Sequence, residues 1–175
     1  MEFDLVVKKR RMVRAYEKRE VEEYKLKKIL ENAYRAPSAG NLQPQEFIII
    51  KEEKLKKELA KAALNQDFIA EAPLVIVVCS DSRRNVWRYG KRGRDFYCII
   101  DGAFSALLIL LTCVNEGLGA CFVGAFDDDE VSKILNLPKE VRPIGIIPIG
   151  YPAERAERLP KRPLEDMIHY NKFGK

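Results

Sequence analysis

A layered α+β fold, with a central mixed sheet flanked by helices and a C-terminal extension, is predicted by three features of the sequence. Leu74 to Cys79 is an unbroken apolar, β-branched run of the kind that fills a strand buried on both faces. Phe96 to Glu116 is apolar on nearly all sides, as a helix running through the middle of a fold must be. Around these two, amphipathic helical stripes alternate with short apolar runs, and turn residues separate them.

In chain order, Leu26, Ile29, Leu30, Ala33 and Tyr34 recur at three- and four-residue spacing, which predicts a helix over Lys25 to Ala36 that Pro37 stops. Ala36 to Pro44 carries two prolines, a glycine and small polar residues, and reads as a shaped loop leading into a strand from Glu46 to Lys51. A charged helix follows over Glu53 to Asn65, then the buried strand, which should be central. An Arg- and aromatic-rich connection leads to the long apolar helix, with Gly117 placed to end it. Gly119 to Ala125 is a third strand, Asp127 or Asp128 caps a short helix ending by Leu137, and Ile144 to Gly150 is a fourth strand. From Tyr151 onward, Pro152, Pro160 and Pro163 and the lack of apolar periodicity predict a tail that wraps a surface rather than a unit of its own.

A chain of 175 residues, 47% of them apolar, suits one domain spanning 1–175 that builds its core without disulfides or a structural metal. The four cysteines, Cys79, Cys98, Cys113 and Cys121, lie in apolar segments with no C-x-x-C pair, and read as buried reduced thiols. The N-terminus is charged from Glu2 and lacks the apolar core of a leader, so a cytoplasmic protein is expected. Ile99 to Val114 is shorter than a roughly 20-residue membrane span and contains Asp101, so no membrane role is expected. The net charge of +5 favours anionic ligands. It gathers in Lys8, Lys9, Arg10, Arg11 and Arg14, and again between Arg83 and Arg94.

The only histidine is His169, in the tail and away from every cysteine, which argues against Ser-His-Asp, Cys-His and zinc chemistry. An enzyme so equipped would leave its chemistry to a bound cofactor. No G-x-G-x-x-G or G-x-x-x-x-G-K-[ST] pattern occurs, so neither a Rossmann nor a P-loop site is indicated. Gly119 and Gly124 bracket an apolar strand, and their small size would let a flat ligand lie near backbone N–H groups; a helix cap followed by a tightly packed strand is the plainer alternative. Arg10 and Arg14 share one face if the first helix continues through them, so two guanidinium forks could converge on a phosphate. A solvated basic face or a nucleic-acid patch would use the same residues.

Arg10-Arg11-Met12-Val13-Arg14-Ala15-Tyr16, the Ala36-Pro37-Ser38-Ala39-Gly40-Asn41-Leu42-Gln43-Pro44 loop, Asp67 to Pro73 ahead of an apolar strand, Gly117 to Phe126, and Ile149 to Pro152 with Lys161 to Leu164 occur in one order over almost the whole chain. In that combination the sequence resembles the FMN-dependent nitroreductase family. The resemblance implies a homodimer with FMN at the subunit interface and a ping-pong reaction. NADH or NADPH would hand a hydride to flavin N5, and an electrophilic small molecule such as a nitroaromatic or quinone would then take the electrons. Arg10, Arg11, Met12 and Arg14 would hold the flavin, mainly by its phosphate, with Lys161 or Arg162 returning from the tail. Pro37, Ser38, Ala39 and Asn41 would close over the ring from the other subunit. Asn65 or Gln66 would meet the pyrimidine edge, and Val123, Gly124 and Ala125 would present backbone N–H groups to N5 and O4. The tail from Tyr151 would embrace the partner.

Met12 stands where the family usually has serine, and Gln45 where tryptophan often follows Gln-Pro. The segment from Arg83 to Phe96 falls where the family varies its lid, which makes Trp87 and Tyr89 the candidates for substrate contact. An exposed basic connection is the alternative reading there. Two other classes compete for the whole chain. One is a basic nucleic-acid or anion-binding module, although no nucleic-acid partner is expected; the other is a flavin-binding protein without reductase turnover.

Overall fold

The computed structural model describes residues 1–157 and 159–174. Its centre is the β-branched run. Strand β2 (Leu74–Asp81) is buried along its whole length and lies between β1 (Gln45–Ile50) and β4 (Val141–Gly150). The short strand β3 (Gly119–Ala120) pairs with the far side of β4, giving the order β1-β2-β4-β3. All of these pairings are antiparallel, and the parallel part of the expected mixed sheet is the bridge between Met12 and Ala120. β3 is shorter than the sequence suggests. The Cys121 amide donates to Pro148, but Pro148 has no N–H to return, so the ladder lapses there and resumes only at the Val123–Ile146 bridge.

Alternation along β2 separates two cores. Leu74, Ile76 and Val78 face the layer of α2 (Glu23–Tyr34) and α6 (Cys98–Asn115), while Val75, Val77 and Cys79 face α3 (Glu53–Ala62), α4 (Phe68–Glu71) and α7 (Asp128–Ile134). Asp127 is the cap of α7, its carboxylate accepting from the Glu130 amide at 2.9 Å.

Two expectations change. Helix α1 (Phe3–Lys9) does not continue through the arginines: Arg10 has φ −55° and ψ 126°, and the chain runs on extended. Its backbone is claimed instead by the sheet edge, where the Val13 amide donates to Ala120 at 3.1 Å. The Arg-rich connection is helical, not irregular. Helix α5 (Arg83–Arg92) passes through a π-helical turn (Gly93–Tyr97) into α6, with a break at Gly90, whose φ is 54°. This combined helix is long and apolar enough by composition to cross a membrane, but α6 packs on α2 and the sheet, so its apolar length serves the core. Phe104 and Leu107 of α6 remain exposed on the single chain.

Candidate functional site

The Arg segment is held on both sides. On one side Met12 and Val13 pair with Ala120; on the other, Glu17 donates to Tyr151 and Ala153 to Ala15, both main-chain bonds. The Tyr16 hydroxyl donates to Val13 O at 2.5 Å, and burial pushes its ionisation far up, so it stays a neutral structural donor. Gly119 is what allows this close approach, since an added Cβ would lie 2.8 Å from the Val13 side chain. Its small size therefore serves the packing of the N-terminal segment, the plainer of the two sequence readings. At Gly124 an added Cβ would meet only the edge of the Phe122 ring, at 3.2 Å.

An extended backbone alternates, so Arg10, Met12 and Arg14 share a face by the strand period instead of the helical one. Arg10, Arg11, Met12 and Arg14 line a cleft of about 680 Å³, and Lys161, Glu154 and Glu157 reach it from the tail. The Nη1 atom of Arg10 is buried and has no hydrogen-bond partner. Arg11 is partly occupied already, donating to the carbonyls of Lys8 at 2.8 Å and Arg10 at 2.7 Å at the C-terminal end of α1. The Met12 sulfur accepts from the Phe122 amide at 3.4 Å, so the residue fixes the neighbouring strand segment. Arg14 presents its guanidinium 5.9 Å from the Phe68 ring, and its own amide donates to Glu154 at 2.6 Å. Of the two tail cations, Lys161 lines the cleft, whereas Arg162 donates to Asp166 O within the tail.

Phe68 carries the site onward to the turn before it. Leu64 and Asn65 both have φ 58°, a strained pair for residues with side chains. This turn places Gln66 where its amide donates to Ala63 O at 2.8 Å and Ala125 O at 3.1 Å, leaving its own carbonyl oxygen for a donor. Among the described residues the N–H groups of Gly124 and Ala125 have no partner. None of Asn65, Gln66, Val123, Gly124 and Ala125 lines the cleft itself; with Phe68 against Arg14 and Gln66 bonded to Ala125, they approach the Arg segment within one chain.

Pro37, Ser38, Ala39 and Asn41 do not. Their loop enters β1 beside Ser80, while the Arg segment joins β3 across from Leu74, at the opposite edge and the opposite end of the sheet. Four strand spacings of ~4.8 Å, counting the Arg segment beyond β3, and six residues at ~3.4 Å separate these corners by roughly 28 Å. The loop is nonetheless built. Ser38 Oγ accepts from the Gln43 amide at 3.0 Å, Gln43 Nε2 donates to Asn41, and Gly40 and Asn41 take φ 59° and 56°. Below it, the buried Asp101 carboxylate accepts from Ala39 N at 3.1 Å and Asn85 Nδ2 at 3.0 Å, tying loop, α5 and α6 together. Sequence reasoning treated Asp101 only as a mark against a membrane span, and its signal was a lone carboxylate in an apolar helix. Tyr89 lies at this same corner, its hydroxyl 2.6 Å from where a Cβ on Gly40 would sit, with its ring edge-on to Tyr97 at 5.2 Å. Trp87, two residues earlier and about half a helical turn round from Tyr89, is 70% exposed.

The fold is thus a sheet between two helical layers, with a basic cleft at one corner and an ordered loop beside Tyr89 at the other. The chain belongs to the nitroreductase family, whose sequence profile matches residues 7–66 and 61–151. It is 32% identical to an NADH dehydrogenase of Thermus thermophilus, over 91% of each chain. It is 28% identical to the FMN reductase [NAD(P)H] of Bacillus subtilis, covering 93% of this chain and 71% of that one. A solved nitroreductase family protein from Clostridium difficile 630 superposes with a TM-score of 0.87 at 33% identity, covering 99% of this chain and all of the other.

Proposed function

We propose that this chain is a homodimeric, cytoplasmic FMN enzyme that uses NADH or NADPH to reduce small electrophilic aromatics. Its class, an NAD(P)H-dependent flavin oxidoreductase, rests on family membership and on relatives named as an NADH dehydrogenase and an FMN reductase. The observation that carries the cofactor assignment is the buried, unpartnered Nη1 of Arg10 in a cleft shared with Arg11, Arg14 and Lys161. A buried cationic donor without an acceptor is costly, and a dianionic phosphate satisfies it by charge-assisted bonds.

In this reading Arg10 and Arg14 grip the phosphate, Lys161 adds charge from the tail, and Arg11 stiffens the end of α1. Gln66 offers its free carbonyl oxygen to the pyrimidine N–H, with Asn65 beside it. The free N–H groups of Gly124 and Ala125, adjoining Val123, stabilise negative charge on the reduced ring. When bound, FMN supplies a centre that accepts a hydride and returns it to an acceptor, so no side chain need act as an acid. Pro37, Ser38, Ala39 and Asn41 come from the second subunit, because their corner lies too far from the Arg cleft of their own chain. The tail supports this arrangement: Leu164, Met167, Tyr170 and Phe173 are exposed on the single chain, as a segment that embraces a partner would be. Trp87 and Tyr89 cover the acceptor.

The test is the visible spectrum of the purified protein, followed by anaerobic NADH and then NADPH. Flavin bands that bleach are expected. A protein that stays colourless after reconstitution with FMN would refute the reading and favour an anion-binding module; a yellow protein that neither nucleotide reduces would leave a flavin carrier.

A further inference from the structure

Helix α5 is the most basic element of the chain, and its cations are not equivalent. Arg83 is paired with Asp81 at 2.7 Å, and Arg94, in the π-helical turn that follows, with Asp95 at 2.7 Å. Arg92 lies over the rings of Phe96 and Tyr97 at 4.6 and 5.2 Å. Among the described residues Arg84, Arg88 and Lys91 have no carboxylate within salt-bridge distance. Of these, only Arg88 is placed on the ordered loop: its Nη1 lies 2.9 Å from where a Cβ on Gly40 would sit, beside the Tyr89 hydroxyl. Gly40 lies between Ala39 and Asn41, the residues assigned to the flavin ring. Trp87, the only tryptophan, precedes Arg88 and is exposed. The corner therefore presents the Tyr89 ring and an unneutralised guanidinium 5.5 Å apart, and the carboxylate beneath the loop, Asp101, is already engaged by Ala39 and Asn85.

We infer that Arg88 selects the acceptor, and that the preferred substrates are planar aromatics bearing an anionic substituent, carboxylate or a similar oxyanion, on the side away from the electrophilic group. This deepens the functional reading above and rests on it. The planar fork of a guanidinium matches two oxygens of a carboxylate at once, which an amide of the same shape cannot reproduce. The neighbouring Arg84 and Lys91 draw the anion in at long range without contacting it. A nicotinamide nucleotide also carries anions in its phosphates, and the experiment separates the two sources.

The probe pair is 4-nitrobenzoate and 4-nitrobenzamide, near-isosteres that differ in charge. Their dissociation constants are measured on the FMN-loaded protein by quenching of Trp87 fluorescence. Their rates are measured as reoxidation of dithionite-reduced protein, where two electrons and two protons convert the nitro group to nitroso and water. The expected result is a preference of about tenfold or more for the benzoate in both readouts. That preference should collapse towards unity in Arg88→Gln and shrink as salt is raised. Equal treatment of the two compounds by the unaltered protein, or a preference that survives Arg88→Gln, would overturn the proposal. So would an Arg88→Gln protein whose only defect is slower reduction by NADPH, which would assign the guanidinium to the nucleotide. Protein that takes up no flavin refutes the functional reading itself, whereas a yellow, reducible protein without charge preference refutes only this inference.

Discussion

The two corners of the sheet are built by opposite means. At the β3 corner an extended segment, Met12 to Tyr16, is fixed by main-chain pairing on both sides, and only the tips of Arg10 and Arg14 are left for a ligand. At the β1 corner a loop with left-handed residues at Gly40, Asn41 and Gln43 is fixed from beneath by one buried carboxylate, Asp101. The first corner holds charge on a rigid edge and suits a constant partner. The second is adjustable through the α5 cover and suits a variable one. On the proposed reading, a chain so divided would contribute half of each of two sites.

The largest expected effect comes from removing the grip at the first corner. Arg10→Ala with Arg14→Ala takes away two charge-assisted contacts of roughly 1.5–3 kcal/mol each, so FMN affinity measured by fluorescence titration should fall by a factor of about a hundred or more. A loss below tenfold would mean that the phosphate lies elsewhere. Next is the support of the second corner. Asp101→Ala strands the Ala39 amide and the Asn85 side chain in a buried place, at a cost of about 2–5 kcal/mol of stability by denaturant unfolding. Asp101→Asn should cost much less, because Asn85 Oδ1 has no partner and a flipped amide can accept from the new donor. If both variants lose the same amount, the carboxylate charge matters more than its hydrogen bonds.

The smallest effect concerns the link between the N-terminal region and the tail. The Tyr151 hydroxyl donates to Glu22, with Arg19 and Lys25 nearby, and holds the Glu22 carboxyl down from 4.5 to about 2. A depressed folded value means that the stabilisation is fully present above the unfolded value of 4.5 and is lost as pH falls through about 2. Glu22→Gln should therefore lower stability modestly at neutral pH, flatten the acid limb between 4.5 and about 2, and make little difference below that window. A loss of the same size at every pH would contradict this.

Much of this was legible in the sequence, and the misses have physical causes. β2 could be read because a run of β-branched residues admits few other uses, and α6 because its apolar content exceeds one face. The Arg cluster is plain in the sequence but its backbone is not: helical and strand periods both place positions 10 and 14 on one side, so spacing cannot distinguish them. β3 is shorter than the sequence suggests because its neighbour on β4 is Pro148, which has no N–H to continue the ladder, and that pairing is not visible in either segment alone. The α5 segment was read as a connection, since Gly90, Gly93 and a high charge density are loop signals, yet the helix runs through both glycines with one break. Asp101 was visible as a residue but not as a support, because its partners lie on a loop and on another helix.

The central claim is that each flavin site draws its phosphate grip from one chain and its ring cover from another, and complementation tests it most directly. Arg10→Ala/Arg14→Ala protein and Gly40→Val protein, each expected to be inactive alone, are unfolded together and refolded as a mixture. If the sites are shared, random pairing gives half heterodimers, each with one intact site out of two, and about a quarter of the unaltered NADH-dependent reduction should return. No return of activity from a mixture shown to contain heterodimers would place the whole site within one chain and contradict the account.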